Sequence, residues 1–181
     1  MKKVILFILL FFYTINVNAI KNKVELKNCV DGDTANFIYN NKNIKVRFLA
    51  IDSPELEHDN QKEEPYAKAA RDYTCNELNI ANNIYLEFDD KAEKLDKYNR
   101  HLAWVFVDNN LLQEKIVTNG YAKVAYLYDD YKYTKTLKKQ EKIAKRKKRG
   151  IWSNEKEDNY YYFLIPFTIL IILIMILKIK K

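Results

Sequence analysis

Between residues 23 and 51 the chain leaves little choice of fold. Val24 to Val30 alternates loosely between apolar and polar side chains, Thr34 to Tyr39 does so with β-branched and aromatic residues, and Ile44 to Ile51 is largely apolar. Asn40-Asn41-Lys42-Asn43 reads as a hairpin turn between the second and third segments. Links this short join only antiparallel neighbours, so the pattern predicts a three-stranded meander. Charge brackets the third strand: Arg47 stands near its start, Asp52 and Glu55 at its end, and Pro54 forces the exit. A guanidinium fork suits a phosphate, and closely spaced carboxylates suit a hard divalent cation. Taken alone, the same residues also describe an ordinary strand with charged ends.

The remaining elements follow in order. Leu56 to Pro65 is a charged loop, after which Pro65 is expected to lead a helix to about Asn79 with Ala69, Tyr73 and Leu78 facing inward. Tyr85 to Phe88 and Leu102 to Val107 read as two further strands, separated by an exposed polar segment from Asp89 to Arg100. A second helix is expected from Leu111 to Thr118, ended by Asn119-Gly120, and a basic third helix from Tyr133 to Arg149, stopping at Gly150. Five short strands with one helix between the third and fourth give an α+β class, a five-stranded OB-fold β-barrel with about three helices.

The two ends do not read as part of that fold. Lys2 and Lys3 precede an apolar run, and Val17-Asn18-Ala19 offers the small residues of a cleavage site, so residues 1–19 are expected to be a signal peptide. Residues 160–177 are apolar but for Pro166 and Thr168, with Tyr160, Tyr161 and Tyr162 as an interfacial belt and Lys178, Lys180 and Lys181 beyond. They are expected to be a single transmembrane helix with a cytoplasmic tail at 178–181. A domain at 20–153 would then face outward on a short linker, 154–159, from the cell membrane, as a monomer.

Charge sharpens the reading. The formal net charge of +7 includes the five lysines of the two ends; the other 26 basic side chains nearly balance the 24 acidic ones. The chain is therefore not basic overall in the manner of a general nucleic-acid coat. Its basicity is local: Lys132 to Arg149 carries ten basic residues against Glu141 alone. That run suits a nucleic-acid rail, an anionic-lipid contact or a solvated face. Cys29 and Cys75 are an even pair, which permits one disulfide or two buried thiols.

The meander gives the acids company. The start of its second strand and the end of its third lie at one rim, which places Asp33, of Asp31-Gly32-Asp33-Thr34, beside Asp52. Two carboxylates and a nearby backbone carbonyl, such as that of Ser53, make an incomplete oxygen cage that water and a substrate phosphate could fill. With no imidazole or thiolate to soften it, the cage favours calcium or magnesium over zinc. Glu55 would be spare to hold or deprotonate a water, and Arg47 with a second arginine could neutralise the charge of a phosphoryl transition state. The second arginine is supplied by Asp96-Lys97-Tyr98-Asn99-Arg100.

Here the chain resembles a known family. Asp31-Gly32-Asp33-Thr34, Arg47 through Asp52-Ser53-Pro54-Glu55, Asp96 to Arg100, Ala122-Lys123-Val124-Ala125-Tyr126-Leu127-Tyr128 and Gly150-Ile151-Trp152-Ser153 are similar, in order and spacing, to the successive motifs of the staphylococcal nuclease (thermonuclease) family. The resemblance implies Ca²⁺ held by Asp33, Asp52 and the carbonyl of Ser53, with Glu55 as a debated general base and Arg47 and Arg100 on the scissile phosphate. It also implies a nucleotide pocket lined by Lys97, Tyr98, Tyr126 and Tyr128, and hydrolysis of DNA and RNA to 3′-phosphates. Ser53 replaces the family's threonine, and Asn99 stands where the family has glycine, a substitution that a left-handed turn tolerates. By residue type alone, Tyr126 and Tyr128 could equally be core. His58 and His101 are read as bystanders, and Trp152 as a packing anchor. The alternatives from other classes are a non-catalytic OB-fold nucleic-acid-binding module and a surface adhesin acting through the basic run.

Overall fold

The computed structural model describes residues 21–57 and 62–153. The expected signal peptide, linker, transmembrane helix and tail lie outside the described residues, as does His58. Among the described residues no helix is long and apolar enough to cross a membrane.

The meander forms as β1 (Lys21–Cys29), β2 (Thr34–Tyr39) and β3 (Lys42–Phe48). The hairpin is tighter than the sequence suggested. Tyr39 pairs with Lys42, and only Asn40 and Asn41 turn, with φ of 49° and 60°, the left-handed geometry that matches strand twist and that asparagine tolerates. After β3 the chain does not continue straight to Ile51, as expected. Ala50 takes φ 64°, and this turn sends β4 (Ile51–Asp52) away from β2 to pair instead with β8 (Lys123–Val124).

Helix α1 (Ala67–Ile80) starts two residues later than expected. Pro65 stands outside it because Tyr66 adopts φ 72°, and the Ala67 N–H donates back to the Glu64 carbonyl at 3.1 Å. Its buried stripe is Ala67, Ala70, Thr74 and Leu78, at helical spacing; Ala69 and Tyr73 are only half-buried. Strands β5 (Ile84–Glu87) and β6 (His101–Val107) then close the barrel. β1 pairs with β5, β5 with β6, and β6 runs parallel to β3, so the order β1-β2-β3-β6-β5 returns to β1. This is the expected five-stranded closed barrel, with three α-helices around it.

Trp104, Phe37, Phe48, Ile51 and Leu86 fill the barrel, and each fully buried side chain of this kind contributes roughly 1.5–3 kcal/mol. Trp104 sits edge-on to Tyr133 at 5.1 Å, and its indole N–H donates to Asp89 Oδ2 at 2.9 Å. The short β7 (Asn110–Leu111) leads into α2 (Leu112–Thr118), whose Gln113 is fully buried. The Gln113 amide accepts from the Val105 N–H at 3.1 Å and donates to the Ala103 carbonyl at 3.0 Å, completing a gap in the β6 ladder.

Helices α2 and α3 (Thr134–Arg146) are each followed, one residue past the cap, by a left-handed residue, Gly120 at φ 74° and Lys148 at φ 49°. The N–H groups of Gly120 and Tyr121 return to the Val117 and Ile116 carbonyls, and those of Lys148 and Arg149 to the Lys145 and Ala144 carbonyls. α3 therefore stops at Arg146, short of the expected Arg149, because Lys148 at φ 49° turns the chain back. Gly150 serves a different contact. It packs backbone to backbone on Gly120, both at positive φ, and a Cβ at either position would lie 2.1 Å from the other segment's carbonyl oxygen.

Candidate active site

The turn between β1 and β2 is built around Gly32. The Asp31 carboxylate accepts from the Asp33 N–H at 3.0 Å, and Thr74 Oγ1 of α1 donates to the Gly32 carbonyl at 2.8 Å. A Cβ on Gly32 would meet Ser53 Cβ at 2.7 Å and Ala70 Cβ at 2.9 Å, so glycine is what lets the turn press against Ser53. The result is that Asp33 points into the barrel rim with only 2% of its surface exposed.

Asp33 and Asp52 share one guanidinium. Thr34 pairs with Arg47 across β2 and β3, and the Phe48 N–H donates to the Asp33 carbonyl at 2.8 Å, so Arg47 lies alongside Asp33. Arg47 Nη1 is 2.6 Å from Asp33 Oδ2, an ion-pair contact without hydrogen-bond alignment, and Nη2 donates to Asp52 Oδ1 at 3.1 Å. Asp33 also accepts from the Ser53 N–H at 2.6 Å and from Thr34 Oγ1 at 3.1 Å. Burial pushes the Asp33 carboxyl up, to about 7, against the pull of Arg47. The charge of Arg47 and the Ser53 N–H favour the ionised form, and a cation would favour it in the same way as Arg47.

Beyond Asp52 opens a cleft of about 540 Å³, lined among others by Ser53, Glu55, Glu64, Lys123 and Tyr126. Burial, then the charges of Asp31 and Asp52, raise the Glu55 carboxyl above the ordinary range, while Arg47 opposes the shift. The Glu55 backbone is pinned to the following loop: its N–H donates to Glu64 Oε2 at 3.0 Å, and its carbonyl accepts from the Glu64 N–H at 3.0 Å. Tyr126 takes φ 55°, its hydroxyl reaches Asp52 Oδ1 at 3.4 Å, and its ring lies 5.6 Å from the Arg47 guanidinium carbon.

Arg100 forms a second cluster at the mouth of β6. Asp96 closes a tight turn, accepting from the Tyr98 and Arg100 N–H groups at 2.9 Å each, with Asn99 at φ 59°. The Arg100 guanidinium is held by Asp96 Oδ2 at 2.6 Å and lies 5.3 Å from the centre of the Tyr98 ring, over which Lys97 Nζ also sits at 4.9 Å. Arg47 pairs with Leu102 in the parallel β3–β6 ladder, and Arg100 lies two residues before Leu102, just ahead of β6. Tyr98, Tyr126 and Tyr128 are 66%, 52% and 83% exposed, so none of the three is core. His101 faces the Phe88 ring at 6.2 Å, and Trp152 is buried beneath Lys145 Nζ.

Two residues of the cleft were not singled out from the sequence. Lys123 Nζ lies 3.0 Å from Asp52 Oδ2, and Glu64 braces Glu55. Lys123 reaches Asp52 through the pairing of two-residue strands, which carry no periodicity to read.

The donor set suits a hard cation. Asp33, Asp52 and the Ser53 carbonyl offer oxygen only, and among the described residues no group of three or more His, Cys, Asp or Glu makes a metal site by itself. Water and a phosphate oxygen would have to complete the shell, which is how a substrate-dependent calcium or magnesium site is built.

The closed OB-type barrel thus bears two carboxylates bridged by Arg47 at one rim, with Arg100 held by Asp96 at the mouth of β6. The Staphylococcal nuclease homologue family model matches residues 45–154, and the chain belongs to that family. Over 131 residues it is 42% identical to the SPbeta prophage-derived endonuclease YokF of Bacillus subtilis, covering 72% of this chain and 44% of the relative. Over 131 residues it is 40% identical to Endonuclease YncB of the same organism, covering 72% and 61%. It is also 33% identical over 137 residues to the Thermonuclease of Staphylococcus hyicus, covering 76% of this chain and 79% of that one. The chain thus spans about half the length of the two Bacillus relatives.

Proposed function

We propose that this protein is a calcium-dependent nuclease that hydrolyses phosphodiester bonds of DNA and RNA with little sequence preference, leaving 3′-phosphates. The observation that carries the reading is Arg47, 7% exposed and forked across Asp33 and Asp52, the latter lining the cleft that holds Glu55. A module that only bound nucleic acid would have no use for two carboxylates facing its phosphate.

Asp33, Asp52 and the Ser53 carbonyl would hold the ion, which supplies positive charge to the phosphate as the transition state forms. Arg47 and Arg100 bind the scissile phosphate and offset the charge that builds on its oxygens. Glu55, made more basic by burial, accepts a proton from the attacking water. The water oxygen bonds to phosphorus, the bond to the 5′ oxygen breaks, and that oxygen takes up a proton from solvent while Glu55 returns its own. Lys97, Tyr98, Tyr126 and Tyr128 present cationic and aromatic surface to the nucleotides, and stacking of this kind is indifferent to base identity. The signal peptide at 1–19 and the apolar segment at 160–177 would place the domain outside the cell membrane as a tethered monomer.

The test is single-turnover cleavage of single- and double-stranded DNA by the full chain in detergent, beside Glu55→Gln and Arg100→Ala. Each substitution is expected to slow cleavage at least ~10²-fold with DNA binding retained. Calcium-independent binding with no cleavage by the unaltered chain would instead establish the non-catalytic module.

A further inference from the structure

We propose that Cys29 and Cys75 are a disulfide-forming pair, oxidised by thiol–disulfide exchange, that staples helix α1 to the strand leading into the Asp31–Asp33 turn. Cys29 ends β1 and Cys75 lies within α1, far apart in sequence, yet both line one surface cavity between the two elements. They are the only two cysteines of the chain, so each has a single possible intramolecular partner. Both are thiols in this structure and only half-buried. Both also line a surface cavity of about 590 Å³ between β1 and α1, with Leu78, Asn79 and Ile84. Thiols serving merely as small core side chains would be sealed from solvent; these two meet each other in a cavity that an outside disulfide can enter. The bond requires the two sulfurs to close to about 2.05 Å within the cavity they share.

The chemistry is balanced by a small-molecule or protein disulfide. Burial, then the adjacent Cys75 sulfur, push the Cys29 thiol up to about 12, which disfavours Cys29 as the first nucleophile. The Cys75 thiolate bonds to one sulfur of the oxidant and expels the other as a thiol, giving a mixed disulfide. Cys29 then loses its proton, bonds to the Cys75 sulfur and expels the second oxidant thiol. Two protein thiols are oxidised, one disulfide is reduced to two thiols, and both protein protons end on those thiols.

The bond would tighten a junction that already bears on the site. Thr74, beside Cys75, holds the Gly32 carbonyl, and Ala70 packs against Gly32. Cys29 stands two residues before Asp31, so the staple fixes the strand that enters the turn without touching Asp33 or Asp52. The inference is independent of the nuclease reading, because neither thiol belongs to that chemistry.

The purified full chain, reduced and then equilibrated with oxidised glutathione, is quenched by alkylation and weighed intact. The expected product is an unalkylated monomer about 2 Da lighter than the reduced chain. Its Tm should exceed that of the reduced chain by roughly 10 °C, a difference absent from Cys29→Ser/Cys75→Ser. Cys29→Ala alone should stop at one glutathione adduct on Cys75, which keeps the test decisive if the double variant folds poorly. Glutathione adducts without the internal bond in the unaltered chain, or equal Tm values for its oxidised and reduced forms, would overturn the proposal.

Discussion

Replacing Arg47 with methionine isolates the ionic centre of the site. Methionine keeps an apolar stem of similar reach, so the loss falls on the guanidinium. In the folded protein that group is 2.6 Å from Asp33 and 3.1 Å from Asp52, and the three side chains are 9%, 3% and 17% exposed. Screening is weak at such burial, and deleting one partner strands the others: Asp33 would face Asp52 with no cation between them. Removing one member of a buried ion pair costs about 3–5 kcal/mol, whereas an exposed pair would cost at most about 1 kcal/mol. Lys123 still reaches Asp52 from the solvent side, so the lower half of that range, about 3 kcal/mol, is expected. Arg47→Lys keeps the charge but cannot fork across two carboxylates, and should lose about 1–2 kcal/mol. Urea unfolding of the full chain in detergent, without divalent ions and followed by tryptophan fluorescence, measures both. A loss below about 0.5 kcal/mol for Arg47→Met would refute the claim that one guanidinium holds the two carboxylates together.

Three further outcomes follow from the fold. Gln113→Leu preserves volume but leaves the Val105 N–H and Ala103 carbonyl buried without partners, and should cost about 2–5 kcal/mol in the same unfolding experiment. Gly150→Ala forces a Cβ to within 2.1 Å of the Gly120 carbonyl oxygen at φ 52°, and should lower stability by about 2 kcal/mol or more, read as a drop in Tm. Burial alone would raise the Asp89 carboxyl, but N–H donors from Lys132, Trp104 and Lys91 outweigh it and hold its pKa below the usual range. The folded protein therefore binds that proton less tightly than the unfolded chain. The contribution is complete above the ordinary carboxylate pKa of about 4 and is lost as pH falls through the lower folded value. Asp89→Asn should accordingly narrow the gap in Tm between pH 6 and pH 3, and an unchanged gap would count against the assignment.

The sequence made the barrel legible where strands were long enough to show alternation. β2 and β3 are six and seven residues, and their tight hairpin left one way to pair them. That same antiparallel logic predicts Asp33 beside Asp52, and Thr34 facing Arg47 is the register that realises it. What stayed hidden was set by single backbone angles and tertiary contacts. Ala50 at φ 64° diverts β4 to β8, and nothing about an alanine announces a left-handed turn. Tyr66 at φ 72° displaces the start of α1 although Pro65 looks like a helix opener. Lys123 and Glu64 reach the cleft only because β4 and the loop after it fold back, so neither spacing nor composition could give them a part. The exposed tyrosines show the limit of residue type: Tyr126 and Tyr128 read equally well as core until the rim is built.

The central claim, that Asp33, Asp52 and Ser53 hold the ion that drives phosphodiester hydrolysis, is met most directly by cleavage rate against free calcium, for the unaltered full chain and for Asp52→Asn. The expected result is a rate that rises to saturation with calcium and falls at least ~10²-fold in chelator or in the variant. Cleavage of equal speed in chelator, or a variant as fast as the unaltered chain, would contradict it.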